Sequence, residues 1–325
     1  MTQTTRLVLL SLVLACPAMA GALDRSQVGA DARWLMYFDI EGIRADPTVQ
    51  QLRDGRPQHP EPDARLEKVK QWMGIESWED ISSVLFYGTN YEKGEGVMVI
   101  EAAADEATAV RGLVDKPNYI AEPNDSHTIH SWTYETRRHG TVKEHRVYIR
   151  FYPGNQVVLA RHRDQFNAAI AVLDGDMPSL MKAGASLRGA MPVESNVYIE
   201  AAGPATAADK HGAWLKRMHH LAFAIVHGEE TLTLKLTIDA GDEEAAKNLH
   251  KMGEGFLAML KLRYGETGGE NNKGASRVLL DEMRMKMDGS VLRMDWSVPR
   301  SDVMRMMEEH MKKHRHRHGM TGGAE

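Results

Sequence analysis

At 325 residues the chain can hold one large domain or two of ordinary size, and a hydrophobic fraction of 42% is enough for a real core. A formal net charge of −5 supplies no global basic field, so nucleic acid is not an expected partner. The one cysteine, Cys16, falls in the N-terminal leader. A processed chain would therefore lack disulfides, thiolate nucleophiles, iron–sulfur clusters and cysteine zinc sites.

That leader has the three parts of a secretory signal. Arg6 is the charged region, Leu7 to Ala15 the apolar region, and Ala18-Met19-Ala20 a small-x-small cleavage site. Residues 1–20 are thus expected to be removed, which places the mature chain in the periplasm or outside the cell. The apolar run is too short to span a bilayer, and no later segment reaches spanning length. Val13-Leu14-Ala15-Cys16 resembles a lipoprotein box, but Leu14 and Pro17 fit that pattern poorly, so an ordinary signal is preferred over a lipid anchor at Cys16.

Along the mature chain, Ala30 to Ile40 reads as a turn entering a strand. Residues 46–73 read as helical, interrupted by the three prolines of Arg56 to Pro62. Ile81 to Val114 reads as strand, turn, strand and helix, with Asp105 as the N-cap. Val147 to Ala160 reads as a hairpin around Pro153-Gly154, followed by a helix over 164–173.

The order then recurs. Ser195 to Gly203 is a strand entering a helical segment, and Leu221 to Met252 is strand, glycine turn, strand and an acid-capped helix. Met283 to Pro299 is a hairpin around Asp288-Gly289, followed by a helical run from Ser301. The glycine-rich Gly265 to Gly274 reads as a connector, because it follows a helix instead of opening one. The expectation is an α+β fold made of two copies of a β-α-ββ-α-ββ-like unit, over 28–185 and 186–312. Each copy would form an antiparallel sheet with helices packed on one face. Residues 313–325 are expected to be a basic, His-rich, disordered tail.

The stretch A-D-A-R-W-L-M-Y-F-D-I-E-G-I-R (Ala30 to Arg44), with Ile81 to Gly88, resembles the start of a group of uncharacterised secreted bacterial proteins. Members begin with A-D-A, a basic residue, Trp and a hydrophobic strand ending in Asp. The resemblance covers about the first 70 residues of the mature chain. It implies export and a similar fold, and brings no activity or catalytic residues.

Candidate chemistry is sparse. Met283, Met285 and Met287 recur at period two, facing Leu292, Met294 and Trp296, which reads as the inward face of a hairpin and not as a soft-metal site. His219 and His220 open a strand and point to opposite faces. His127 and His130 flank a strand, and His145 and His162 lie at strand ends. Asp39 and Glu41 share one face of the first strand, which reads as the wet outer face of a sheet. Nucleophile-elbow, HExxH, P-loop and dinucleotide signatures are missing.

The C-terminal MEEHMKKHRHRHGM places His310, His314 and His318 four residues apart beside a methionine stripe if the helix continues. A solvated helix end, divalent-metal ligation and contact with an anionic partner all fit it. The leading function is an exported, non-enzymatic binding or scaffold protein for an envelope component or small ligand. The alternatives are metal binding through the C-terminal histidines and an enzyme with unfamiliar carboxylate or histidine chemistry. No cofactor is expected beyond a weakly bound divalent metal.

Overall fold

The structure is a computed structural model; it describes residues 22–54, 64–92, 94–124, 127–138, 140–203, 218–267 and 282–305. In chain order, β1 (Trp34–Asp39) runs into α1 (Ile40–Ala45), α2 (Pro47–Asp54) and α3 (Ala64–Met73). Next come β2 (Ile81–Gly88), β3 (Val97–Ala102) and α4 (Glu106–Leu113). Four strands follow, β4 (Ile120–Asn124), β5 (His127–Arg138), β6 (Thr141–Tyr152) and β7 (Gln156–Ala160), then α5 (Arg163–Leu173). The remaining elements are β8 (Ser195–Ala202), β9 (His220–His227), β10 (Thr231–Asp239), α6 (Glu243–Thr267), β11 (Met283–Asp288) and β12 (Val291–Pro299).

The expected pair of separate α+β units is corrected by the sheet. Among the described residues, all 12 strands join one antiparallel sheet in the order β11-β12-β10-β9-β8-β1-β2-β3-β7-β6-β5-β4. β1 and β8 pair antiparallel at its middle, with Tyr37 opposite Tyr198, so the sheet is continuous across the expected boundary at 185/186. The physical reason is edge satisfaction: two sheets would each leave a row of unpaired N–H and C=O groups, and joining them removes two edges. The wings are also unequal, because a β4–β5 hairpin and the 12-residue strands β5 and β6 enlarge one side.

Among the described residues, helices are few and pack on both faces, not on one. On one face, Phe166, Ala169 and Ile170 of α5 join Leu35, Leu85 and Val99 in a core. On the other, Met73 of α3 and Ala109 and Leu113 of α4 join Ile100, Trp132 and Ile149. The alternation of period two makes this possible, since β1 and β2 present apolar side chains on both sides. Phe38 and Phe86, for example, meet edge to face at 6.3 Å on the α3 side, while Leu35 and Leu85 are buried on the α5 side.

Local signals place the elements. Asp105 caps α4 by accepting from Thr108 N at 2.7 Å. Gly154 and Asn155 turn β6 into β7 with φ of 86° and 67°, and Gly289 turns β11 into β12. Met283, Met285 and Met287 are half-buried, while Arg284 and Lys286 between them are exposed. The expected connector over 265–274 begins too early, because α6 continues to Thr267. Among the described residues, no helix is long and apolar enough to cross a membrane.

Candidate functional site

An aromatic cavity of about 360 Å³ lies on the α3 side of the sheet. Phe86 of β2, Met98 of β3, Leu159 of β7 and Tyr134 of β5 form its floor, and Trp72 and Met73 from the end of α3 form its roof. Such a volume lies within the range of small-molecule pockets, which are mostly apolar with a few polar groups.

Two side chains fix the walls. Trp34 lies opposite Gly88 on the neighbouring strand, where a Cβ would come within 2.8 Å of the indole. Gly96, at φ 123°, leaves room for the same ring, since a Cβ there would sit 3.0 Å from it. The Trp34 indole N–H donates to the Asn90 carbonyl at 2.6 Å, so the ring is held at both ends. Trp72 packs at 5.4 Å from Trp132 and 6.0 Å from Tyr134. α3 stops there because Gly74 adopts φ 65° and approaches the Asp105 carbonyl so closely that a Cβ would clash. The Trp72 indole nitrogen is buried and has no hydrogen-bond acceptor.

Charge gathers at the mouth. Glu95 accepts from Asn90 Nδ2 at 3.2 Å and from Gln165 Nε2, and its other oxygen lies 3.4 Å from His162 Nε2. Arg161 is exposed, with its guanidinium carbon 5.8 Å from the Tyr134 ring centroid. Among the described residues, Arg161 makes no hydrogen bond or ion pair.

Three other polar clusters bring histidines and carboxylates together, and each is internally satisfied. Glu200, fully buried on β8, accepts from Arg25 at 2.9 Å, Gly189 N at 2.6 Å and Tyr198 Oη at 3.2 Å, with His220 Nε2 at 2.8 Å. Burial alone would raise its pKa, but the bonds from His220, Gly189 and Arg25 outweigh that and lower it. Asp46 meets His227 and Arg300, the latter at 2.6 Å. His130 bridges Tyr119 at 2.8 Å and Glu106 at 3.0 Å. These arrangements tie distant segments together.

The sequence-derived candidates fare unevenly. Asp39 is buried and caps α1 through Gly42 N at 2.8 Å, while Glu41 belongs to that helix, so the two do not form an outer-face pair. His145 lies inside β6 opposite Tyr134, not at a strand end. His219 and His220 do diverge, His220 toward Glu200 and His219 toward Gly241. His310, His314 and His318 lie outside the described residues. Among the described residues, no group of three or more His, Cys, Asp or Glu side chains is placed to hold a metal ion. The cavity itself escaped the sequence reading. Trp34, Trp72, Tyr134 and Arg161 come from four distant segments, and Gly88, Gly94 and Gly96 read only as turn punctuation.

The site belongs to a large single-sheet antiparallel protein with an aromatic cavity between the sheet and one helix. No protein-family model matches the chain, and no curated protein matches it. Solved structures with some likeness include crystal forms III and IV of TP0453. Each aligns at 9% identity and a TM-score of 0.44, over 89% of this chain and 99% and 98% of that one. Likeness at this level defines neither family nor function.

Proposed function

We propose that this chain is an exported binding protein whose aromatic cavity takes up a small apolar molecule. The observation that carries the reading is the cavity of about 360 Å³ lined by Trp34, Trp72, Phe86, Met98 and Tyr134. Burying an apolar ligand there removes its surface from water at roughly 25 cal/mol per Å², without any need for catalytic groups. Export rests on the leader read from Arg6 to Ala20. The satisfied carboxylate–histidine clusters fit a scaffold role more readily than acid–base turnover.

The test uses the neutral fluorophore N-phenyl-1-naphthylamine. Saturable binding with quenching of tryptophan emission is expected, since Trp34 and Trp72 line the site. Met98→Trp, which fills the cavity, should abolish that binding while preserving the far-ultraviolet circular dichroism. Unsaturable binding, or equal binding by Met98→Trp, contradicts the reading.

A further inference from the structure

Resting on the cavity reading, the geometry points to an anionic ligand: we infer that the cavity takes an amphiphile whose apolar part lies among the aromatic rings and whose carboxylate pairs with Arg161. Two charged side chains, Glu95 and Arg161, line the cavity. Glu95 is occupied by two amides and His162. Arg163, two residues beyond Arg161, pairs with Glu122 at 2.7 Å and lies 5.2 Å over the Tyr148 ring. Of the two charged side chains lining the cavity, only Arg161 has no polar partner among the described residues.

Its position is also prepared. Gly94 adopts φ 91°, and a Cβ there would come within 3.3 Å of Arg161 Nη1. Glycine at that turn therefore leaves space beside the guanidinium, where a side chain would crowd it. The guanidinium is permanently charged and offers a planar fork of donors, which matches a carboxylate in a bidentate pair. An uncharged hydrocarbon would leave Arg161 as it is. A cationic ligand would meet it as a like charge, and would find Glu95 already engaged.

Three probes of equal chain length separate these cases: decanoate, decan-1-ol and decan-1-amine, each titrated below its micelle-forming concentration and followed by tryptophan emission. Decanoate is expected to bind about tenfold more tightly than decan-1-ol, a typical gain for a hydrogen bond to a charged group. That preference should shrink as salt is added, because the arginine is exposed. Arg161→Gln should erase it without weakening decan-1-ol, and Arg161→Lys should restore part of it.

Equal binding of all three probes, or an unchanged decanoate preference in Arg161→Gln, would overturn the anionic assignment while leaving the cavity reading standing. A preference for decan-1-amine would transfer the polar contact to Glu95 and likewise overturn it. Binding of none of the three, together with no binding of the neutral fluorophore, would remove the cavity reading itself.

Discussion

Replacing Asp46 by Asn tests how the two wings of the sheet are fastened together. Asp46 caps α2, one oxygen accepting from Thr48 N at 2.8 Å, with Pro47 at the first helical position where its missing N–H costs nothing. The other oxygen meets Arg300 at 2.6 Å and His227, both more than 180 residues away in the chain. Its side chain is 2% exposed. Burial pushes its pKa up, but hydrogen bonds from His227, Arg300 and Thr48 outweigh it and bring the carboxyl from 3.8 down to about 2. A depression of that size corresponds to about 2.4 kcal/mol of stability.

The sign follows from which form the fold prefers. A lowered folded-state pKa means the contribution is complete above about pH 4 and is lost as pH falls through about 2. Asn keeps the cap but turns an amide N–H₂ toward Arg300, so Asp46→Asn should cost about 2 to 3 kcal/mol at pH 7. Urea midpoints of both proteins across pH 7 to 2 provide the assay. The gap between the curves should be full at pH 7 and close below pH 4. Because other carboxylates titrate in both proteins, only the difference reports on Asp46. Equal midpoints at pH 7, or a gap that does not change with pH, would refute the reasoning.

Two further substitutions probe the cavity wall and the buried acid. Gly96→Ala, at a φ of 123° and against the Trp34 ring, should destabilise by about 1 to 3 kcal/mol and alter the near-ultraviolet dichroism of the tryptophans; an unchanged spectrum and melting temperature would show that Trp34 is not held there. Glu200→Gln removes the counter-charge of Arg25 in a fully buried site and should cost about 3 kcal/mol at pH 7, read by thermal unfolding. A melting temperature within a degree or two of the parent would mean the cluster fastens nothing.

Much of the local structure was legible because it depends on neighbours in sequence. Asp105 announced α4, Pro153-Gly154 and Asp288-Gly289 announced their hairpins, and the alternation from Thr231 to Ile238 announced β10. What failed was the assembly. The pairing of Tyr37 with Tyr198 that fuses the sheet spans about half of the chain, and nothing local in either strand encodes it. The β4–β5 hairpin was missed as well: Pro123 in β4 argues against a strand, and is tolerated because β4 lies at the sheet edge. One helix-bearing face was expected because hairpins alternating with helices suggest it. The strands nearest the middle are apolar on both sides, and that pattern in Leu35 to Phe38 was the signal for two covered faces.

The site was less legible than the fold. The polar partners of the histidines could not be read locally, because Glu200, Asp46 and Glu106 are remote in sequence or separated by a strand. Trp34 was visible as a strand residue, but its role depends on glycines across the sheet and on Trp72 from another helix. Arg161 carried no signal beyond following a strand.

The measurement that bears most directly on the cavity as a binding site is the heat-capacity change on binding decanoate, obtained by calorimetry at several temperatures. Apolar burial gives a negative value. The wild-type protein should show saturable binding with a clearly negative heat-capacity change, and Met98→Trp should show neither. A heat-capacity change near zero in the wild type, or an equal one in the cavity-filled variant, would contradict the account.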